Sequence, residues 1–410
     1  FSSLYPGCII TELCLMPLHI LLILGGLSAF GPLSIDMYLP AFPAMAEDLG
    51  VSSEQIQLSL SVYFIGLASG QLVYGPLADR FGRRKPLLFG IGLFCVASLA
   101  CALAPTLEWL LAARFAQALG GCAGMVVNRA VVRDLCEPID AAKAFSQLML
   151  IMGVAPILAP LAGTALLGLA GWASIFWFLT VFAGLFALAV YFFLPETLPP
   201  HRAPPPLRSA FWRYIGLLCE PLFMFHAFTG SVAMAGMFAY ISGSPYVFLE
   251  LYKVPVEQYA WLFGSIASCF ILSAQLNSRL LRRWSQLALI RGTTFIYMLA
   301  TVTLLLAAWL QVESLWLFLP PLVLSVAIIS QVLPNASACA LAGHGHQAGI
   351  ASALMGTMQF AIAGITSAAV GMLHDNTAVP MAGVMAVCGL LTVVMAALAR
   401  QANGRIAATH

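Results

Sequence analysis

Two ionisable residues, Asp36 and Arg114, lie inside long apolar stretches of the sequence. An isolated charge within hydrocarbon is costly, so a charged residue at such a position indicates a functional site and calls for a partner. Burial disfavours an ionised carboxyl group, whereas a nearby cation favours it. A carboxyl group under both influences can take up and release a proton near neutrality. The sequence therefore predicts proton exchange at Asp36, tuned by Arg114.

The spacing of these two residues places them at one depth. Asp36 lies eight residues before the expected helix end near Ala44, and Arg114 lies about eight residues after the boundary at residues 105 and 106. At 1.5 Å per residue, both lie roughly 12 Å below the same surface. Each is predicted to be the other's nearest electrostatic neighbour, and a purely structural ion pair is the alternative.

The elements that carry these residues are membrane helices. Hydrophobic residues make up 61% of the 410 residues and charged residues only 8%, which excludes an ordinary soluble globule. A helix that crosses roughly 30 Å of hydrocarbon needs about 20 apolar residues. Twelve such stretches are predicted near 17 to 44, 54 to 75, 86 to 104, 107 to 128, 144 to 169, 174 to 194, 219 to 241, 256 to 276, 290 to 310, 314 to 338, 347 to 373 and 378 to 399.

The positive residues predict the orientation of these helices. Sixteen of the 18 Lys and Arg residues fall in alternate loops or the C-terminal tail, and the complementary loops hold only Lys253. Loops rich in Lys and Arg stay in the cytoplasm. We therefore expect a multi-pass protein of the bacterial inner membrane with both termini in the cytoplasm.

A proline-rich segment divides the chain into two halves. Residues 195–213 contain six prolines, a density that no helix continues through. The basic cluster at residues 80–85 has a counterpart at residues 279–283, each after the second span of its half. We therefore expect a non-native or disordered segment 1–16, a six-helix bundle 17–194, a cytoplasmic linker 195–213, a second six-helix bundle 214–399 and a cytoplasmic tail 400–410. Repeated halves are typical of secondary transporters.

The loop after the second span carries a specific motif. Residues 75–87 read Gly-Pro-Leu-Ala-Asp-Arg-Phe-Gly-Arg-Arg-Lys-Pro-Leu. Gly75 and Gly82 allow a tight turn between two helices, and Asp79 can pair with Arg83. The segment resembles the loop signature of the major facilitator superfamily. The alternative is that these charges serve topology alone.

This resemblance implies an all-α membrane protein with the major facilitator fold, twelve transmembrane helices in two pseudo-symmetric six-helix bundles. In that family the Asp of the loop docks against the second half and joins a charge network with an acidic residue that ends the fourth helix. The expected gating residues are therefore Asp79, Arg83, Arg84, Arg133 and Asp134.

A narrower resemblance rests on several further segments. Residues 34–43 read Ser-Ile-Asp-Met-Tyr-Leu-Pro-Ala-Phe-Pro and resemble the first helix of the Bcr/CflA multidrug efflux family, within the drug:proton antiporter group. Residues 114–121, 155–163, 240–245, 334–337, 351–353 and 359–360 resemble other helices of that family. Departures occur at Ala155 and Ala162, where the wider group favours glycine, at Ala173, where the family commonly has Arg, and at Ser28, where some relatives carry a second acid.

The same resemblance implies roles for further residues. Aromatic and amide side chains on the helices that line the cavity of this fold are expected to bind substrate, although packing or contact with lipid is as good an explanation for any one of them. These residues are Tyr38, Tyr63, Gln117, Tyr240, Tyr246, Asn335, Gln359 and Phe360. Those expected to serve close helix packing are Gly75, Gly82, Gly120, Pro156, Pro160 and Gly163.

The sequence thus predicts a proton-coupled antiporter that exports small, largely apolar drugs by alternating access and works as a monomer in the lipid bilayer. Phenicols and bicyclomycin-like compounds fit a wall of aromatic and amide groups. No phosphate loop, catalytic triad or metal pattern occurs, so we expect no enzymatic activity, no metal, no nucleic acid and no cofactor other than the coupling proton. The alternatives are export of an amino acid or sugar-like metabolite, and a membrane-embedded enzyme or receptor.

Overall fold

The computed structural model describes residues 17–136, 138–198, 207–344 and 347–408. The expected N-terminal segment 1–16 and residues 199–206 of the predicted linker lie outside these ranges. Within them the chain is helical and contains no β-strand. The absence of strands suits a membrane protein, because a helix satisfies its backbone polar groups within itself.

In its described residues, the first half contains seven helices. They are α1 (Leu18–Asp36), α2 (Phe42–Leu49), α3 (Ser53–Phe81), α4 (Arg84–Ala102), α5 (Leu107–Leu135), α6 (Pro138–Ala170) and α7 (Ala173–Phe193). A 3₁₀ turn, Leu39–Ala41, joins α1 to α2. The sequence specifies some of these starts. Ser52 and Gln55 form a capping box at the start of α3, and the Thr106 hydroxyl accepts a hydrogen bond from the Trp109 backbone N–H at the start of α5.

The described part of the second half also contains seven helices. They are α8 (Leu207–Leu218), α9 (Pro221–Pro245), α10 (Val256–Leu280), α11 (Gln286–Trp309), α12 (Leu315–Leu341), α13 (Ala348–Met372) and α14 (Val379–Ala408). A π-helical turn, Tyr246–Leu251, continues α9. The short helix α8 begins inside the predicted linker.

Twelve segments of the described chain are long and apolar enough to cross a membrane, and they coincide with the twelve predicted spans. The 3₁₀ turn and α2 extend the first span, and the π-helical turn extends the seventh. The predicted fold class is therefore confirmed. The helices run further than the apolar stretches at several ends, for example to Phe81 and Leu135, because polar residues continue them past the hydrocarbon.

The two halves pack on each other in a symmetric way. The second span of the first half, α3, packs against the fifth span of the second half, α13. Its counterpart α10, the second span of the second half, packs against α6, the fifth span of the first half. Two equivalent contacts of this kind are what a two-fold pseudo-symmetry between the halves produces.

The two ends of the bundle differ in how the halves meet. We call the end that carries Arg80, Arg83, Arg84 and Lys85 the basic end, and the opposite end the far end. At the far end the 3₁₀ turn Leu39–Ala41 contacts both α9 and α10. Among the described residues, α5 and α12 form no extensive interface. The halves are thus joined at the far end by this turn, in addition to the contacts of α3 with α13 and of α6 with α10.

Candidate functional site

Asp36 is the last residue of α1, where the chain bends into the 3₁₀ turn. The residue is 4% exposed, and its Oδ1 atom is buried with no hydrogen-bond partner. It lies within electrostatic range of Tyr240 on α9 and Tyr259 on α10, so it faces the second half. The predicted carboxyl group is therefore inside the protein, at the contact between the halves, and not on the lipid-facing surface.

Arg114 on α5 is completely buried and held by the first half alone. Its Nη1 donates to Gln117 Oε1 at 2.5 Å, and its Nη2 donates to the backbone oxygen of Ser34 at 2.9 Å. The guanidinium carbon lies 4.3 Å from the ring centre of Tyr38 and 4.1 Å from that of Tyr63. Rings at this distance stabilise a cation through their negative faces. We call Ser34, Tyr38, Tyr63 and Gln117 the Arg114 cage.

The expected pairing of Asp36 with Arg114 is wrong. No salt bridge joins the two side chains among the described residues, and the guanidinium bonds the backbone at Ser34 instead. The depth estimate was sound, since Ser34 is only two residues from Asp36. The expected direction of the Asp36 side chain was wrong, because residues two apart on a helix point to nearly opposite sides. Arg114 approaches α1 from within the first half, while Asp36 points out of that half.

The Arg114 cage explains three of the predicted substrate-binding residues. Tyr38 shares a hydrogen bond of 3.2 Å with Ser59, and Gln117 donates to Ser98 at 2.8 Å. Tyr38, Tyr63 and Gln117 therefore hold Arg114 between α1, α3 and α5. The supporting serines escaped the sequence analysis, because a lone Ser in an apolar span has no distinctive pattern.

Other predicted substrate-binding residues lie where the halves meet. Tyr240 is 2% exposed, its hydroxyl has no hydrogen-bond partner, and its ring stacks on Phe263 with centroids 5.7 Å apart. Phe360 on α13 packs with Phe64 of the first half and Phe238 of the second, at centroid distances of 6.4 and 5.8 Å. Aromatic side chains from both halves thus meet in the interior of the bundle.

The remaining three predicted substrate-binding residues are placed differently. Asn335 donates to Asn277 at 2.8 Å and so links α12 to α10 within the second half. Tyr246 lies at the far end, where its ring meets the edge of His374 with centroids 4.3 Å apart. Gln359 is half-buried on α13. The structure therefore brings Tyr240 toward Asp36 and Phe360 to the contact between the halves, but places Asn335 and Tyr246 elsewhere.

The predicted charge network forms at the basic end. Arg83 is 1% exposed and donates to Asp79 at 2.6 Å and to Asp134 at 2.8 Å. Burial alone would lower the pKa of the Arg83 guanidinium, but the hydrogen bonds and charges of the two carboxylates raise it above its ordinary value. This network ties the ends of α3 and α5 to the start of α4. Arg133 is exposed and, in the described part of the chain, forms no ion pair.

Glu196, after the end of α7, joins this network and was missed by the sequence analysis. Its carboxylate accepts from the backbone N–H groups of Arg83 at 2.7 Å and Arg84 at 3.1 Å, at the start of α4. The Arg84 side chain donates to the backbone oxygen of Tyr191. Burial alone would raise the pKa of Glu196, but four backbone N–H donors hold it below its ordinary value. The motif Leu-Pro-Glu-Thr directly after a span was the available signal.

Of the two glycines in the loop motif, only Gly82 lies in the turn. Gly82 has φ of +90°, and a side chain there would collide with the Glu196 carboxylate. It makes the turn, as expected. The expectation for Gly75 is wrong, because this residue lies inside α3 and no neighbouring atom is within 4 Å of a Cβ there. α3 continues past Pro76 to Phe81, so the turn comes later than the motif suggested.

The other predicted packing residues lie on α5 and α6. Gly120 lets α5 approach the backbone of α4, where an added Cβ would be 2.5 Å from the Phe94 nitrogen. Gly163 lies directly against the backbone oxygen of Met37, at the bend beside Asp36. Pro156 and Pro160 lie within α6, which continues through both. The described residues contain no cluster of three side chains suited to a metal ion.

Comparison with known proteins agrees with this architecture. The family described as Major Facilitator Superfamily matches residues 24–368. The chain is 39% identical to an uncharacterized MFS-type transporter, YdgK, of Bacillus subtilis, over 90% of this chain and 92% of the relative. It is 31% identical to a bicyclomycin resistance protein homolog of Haemophilus influenzae, over 91% and 94% of the two chains. It is 30% identical to a chloramphenicol resistance protein of Pseudomonas aeruginosa, over 88% and 85%.

A solved structure shows the same fold. A bacterial homolog of the human lysosomal transporter Spinster, in an inward-facing and occupied conformation, superposes with a TM-score of 0.73. The alignment covers 94% of this chain and 96% of that one, at 14% sequence identity. Two proteins with so little sequence in common thus share one fold.

Proposed function

The chain belongs to the Major Facilitator Superfamily, and from this premise we propose that it exports small, largely apolar drugs from the cytoplasm in exchange for protons. It is a multi-pass membrane transporter of small molecules and not an enzyme. The proposal concerns three finer points: the coupling ion, the class of substrate and the direction of transport.

The observation that carries the proposal is the buried, unpartnered oxygen of Asp36 where the halves meet. An ionised carboxylate in such a place costs several kcal/mol, so this arrangement suits the neutral carboxyl group. Rocking of the halves would bring water or a substrate to the same oxygen and allow the proton to leave. A proton would thus be bound in one arrangement and released in the other, which is the requirement for coupled exchange.

The membrane potential supplies enough energy for export. One elementary charge that crosses 100 mV gains about 2.3 kcal/mol, enough for roughly fifty-fold accumulation of a drug. By the distribution of Lys and Arg, the basic end faces the cytoplasm. Protons would then arrive from the far end and drugs from the basic end.

The substrate would bind next to Asp36, between aromatic side chains of both halves. Phe64, Phe238 and Phe360 offer apolar surface, and the free Tyr240 hydroxyl offers one hydrogen bond. Mostly apolar walls with a few polar groups suit small neutral drugs. Relatives named for bicyclomycin and chloramphenicol resistance support this class of substrate.

Arg114 and the network around Arg83 would play supporting parts. Both Nη atoms of Arg114 are engaged by its cage, so it would hold α1 and α5 together and act on Asp36 only through its charge at the same depth. The network of Asp79, Arg83 and Asp134 would keep the basic ends of α3, α4 and α5 moving as one body. That is how the gate at the basic end would open and close as a unit.

The test is transport by Asp36→Asn in proteoliposomes. We expect this variant to bind drug and to exchange it across a membrane without a gradient, but to lose accumulation driven by an imposed proton gradient. Glu313→Gln, at an exposed acid outside the spans, is the matched control and should transport like the wild type. Proton-driven accumulation by Asp36→Asn at the wild-type rate would remove Asp36 from the mechanism.

The same assay addresses the rival cargo. Amino acids and sugars are offered in counterflow beside chloramphenicol and bicyclomycin. Counterflow of a metabolite together with no response to either drug would replace drug export by metabolite export on the same fold.

A further inference from the structure

A contact between a carboxylate and an imidazole joins the two halves at the far end. Glu54 in the first turn of α3 lies 2.9 Å from Nε2 of His374, which follows α13. Both side chains remain partly exposed, at 24% and 18%. Gln57, one turn further into the protein, donates to the Ser242 hydroxyl of α9 at 2.5 Å. We call Glu54, Gln57, Ser242, Tyr246 and His374 the far-end seam.

A small cavity lies directly beneath this pair. Its volume is about 10 Å³, which is close to what one water molecule needs. Its polar lining includes Gln57, Tyr246, His374 and Thr377, and a buried water usually makes about three hydrogen bonds to such groups. The cavity thus offers a position for one water between the surface pair and the interior.

The distance from this cavity to Asp36 is short. Gly243 also lines the cavity, and Tyr240 lies one turn of about 5 Å back along α9. The Tyr240 hydroxyl is buried without a partner and lies within electrostatic range of Asp36. Tyr259, also in that range, shares a 2.9 Å hydrogen bond with Ser244. Two tyrosine hydroxyls thus interact electrostatically with Asp36, and Tyr240 lies one helical turn from a residue that lines the cavity.

We propose that His374, paired with Glu54, is the group through which protons from the far end reach Asp36. This role rests on the proposed proton exchange at Asp36 and adds its route. Imidazole suits the task, because it exchanges protons readily in the physiological range.

The proposed step moves one proton from solution to Asp36 and involves no oxidation or reduction. An acid in the bulk solution gives a proton to the His374 ring, and the imidazolium gives it to the water in the cavity. The Tyr240 hydroxyl accepts that proton while donating its own to Asp36, whose carboxylate becomes a neutral carboxyl group. Gln57 closes one side of the cavity through its bond to Ser242. Because an amide is a poor proton carrier, the proton would not leave the cavity on that side.

The titratable groups around His374 come from three elements. Glu54 faces it from α3, and Tyr246 faces it from the π-helical turn. Glu250 of the same turn and Asp375 beside His374 lie within electrostatic range of Tyr246. The Asp375 carboxylate accepts from the backbone and hydroxyl of Thr377, so it is engaged in its own loop. Glu54 is therefore the acid in direct contact with the ring.

The experiment compares His374→Ala with the wild type in oriented proteoliposomes. We expect proton-driven drug accumulation to slow by at least about tenfold, a modest share of what positioned proton transfer contributes. Drug counterflow at equal pH needs no net proton transfer and should keep its wild-type rate. His19→Ala, at an exposed histidine of the basic end, should leave both rates unchanged.

Chemical rescue separates proton transfer from a latch between the halves. Imidazole, or a small amine buffer of a different shape, supplied at the far end should restore the proton-driven rate of His374→Ala. Wild-type rates in this variant would overturn the proposal. So would equal losses of counterflow and proton-driven transport without rescue, since those describe a structural contact. If the wild type itself shows no proton-driven transport, the proposed function fails first.

Discussion

Replacement of Arg83 by Gln tests how the basic end is held together. The guanidinium binds one buried and one exposed carboxylate, and a neutral amide of similar length cannot replace its charge. The side chain of Asp134 is 7% exposed and that of Asp79 is 39% exposed. The two bonds should therefore contribute unequally to stability.

The burial of each partner sets the expected magnitude. A buried carboxylate that loses its cation costs about 3 to 5 kcal/mol, because the charge stays buried and uncompensated. The partly exposed Asp79 is screened by solvent, and exposed ion pairs contribute about 0 to 1 kcal/mol. We expect Arg83→Gln to lower the free energy of unfolding by about 4 kcal/mol. Asp134→Asn loses a charge-assisted hydrogen bond and should lower it by about 1.5 to 3 kcal/mol. Asp79→Asn should lower it by about 1 kcal/mol or less.

The measurement is denaturant unfolding in detergent micelles, followed by tryptophan fluorescence. Arg282→Gln is the matched control, because Arg282 lies exposed in the corresponding loop of the second half. It should change the free energy of unfolding by less than about 0.5 kcal/mol. The reasoning fails if Asp79→Asn and Asp134→Asn are equally destabilising, or if Arg83→Gln unfolds like the control.

Two further predictions concern neighbouring contacts. Glu196→Gln should lower the melting temperature at pH 7, since the variant lacks the carboxylate anion that binds the start of α4. The folded-state pKa of Glu196 lies below its ordinary value of 4.5. The stabilisation is therefore complete above pH 4.5 and is lost as the pH falls through the folded pKa. A difference between variant and wild type that stays constant down to pH 3 would contradict this, as followed by thermal unfolding across the pH series. Gly163→Ala should destabilise by about 1 to 3 kcal/mol, because the new methyl group meets the Met37 backbone oxygen beside Asp36. Gly168→Ala on the same helix, where no atom lies within 4 Å, should be neutral or stabilising in the same assay, and equal losses in both variants would refute the contact.

The sequence predicts the spans and the depth of the charged residues well, because both follow from how many residues cross the hydrocarbon. The first and fourth spans form at the predicted positions, although both run five to seven residues further than predicted, and they place Asp36 and Arg114 at one level. A depth depends only on rise per residue. The loop motif likewise predicts the bond of Arg83 to Asp79, since both adjoin the same turn, whereas the part of Asp134 came from the family resemblance.

Rotation about a helix axis is harder to predict than depth. Asp36 and Ser34 differ by two residues, and which of them faces Arg114 depends on how α1 packs against α5 and α6. Gly163 against Met37 fixes that packing, and nothing near Asp36 in the sequence reveals it. The contact of Glu196 with Arg83 joins residues 113 apart, so only the folded bundle brings them together.

The separation of Asp36 from Arg114 changes how coupling has to work. If the two were paired, the charge of Asp36 would be set inside the first half, and motion between the halves would alter it little. Instead, the charge of Arg114 is satisfied by rings and backbone that move with it, while the free oxygen of Asp36 faces Tyr240 and Tyr259 of the second half. Opening of the far end would separate these groups and admit water to the carboxyl group. Proton affinity would then depend directly on the contact between the halves, which is the contact that alternating access makes and breaks.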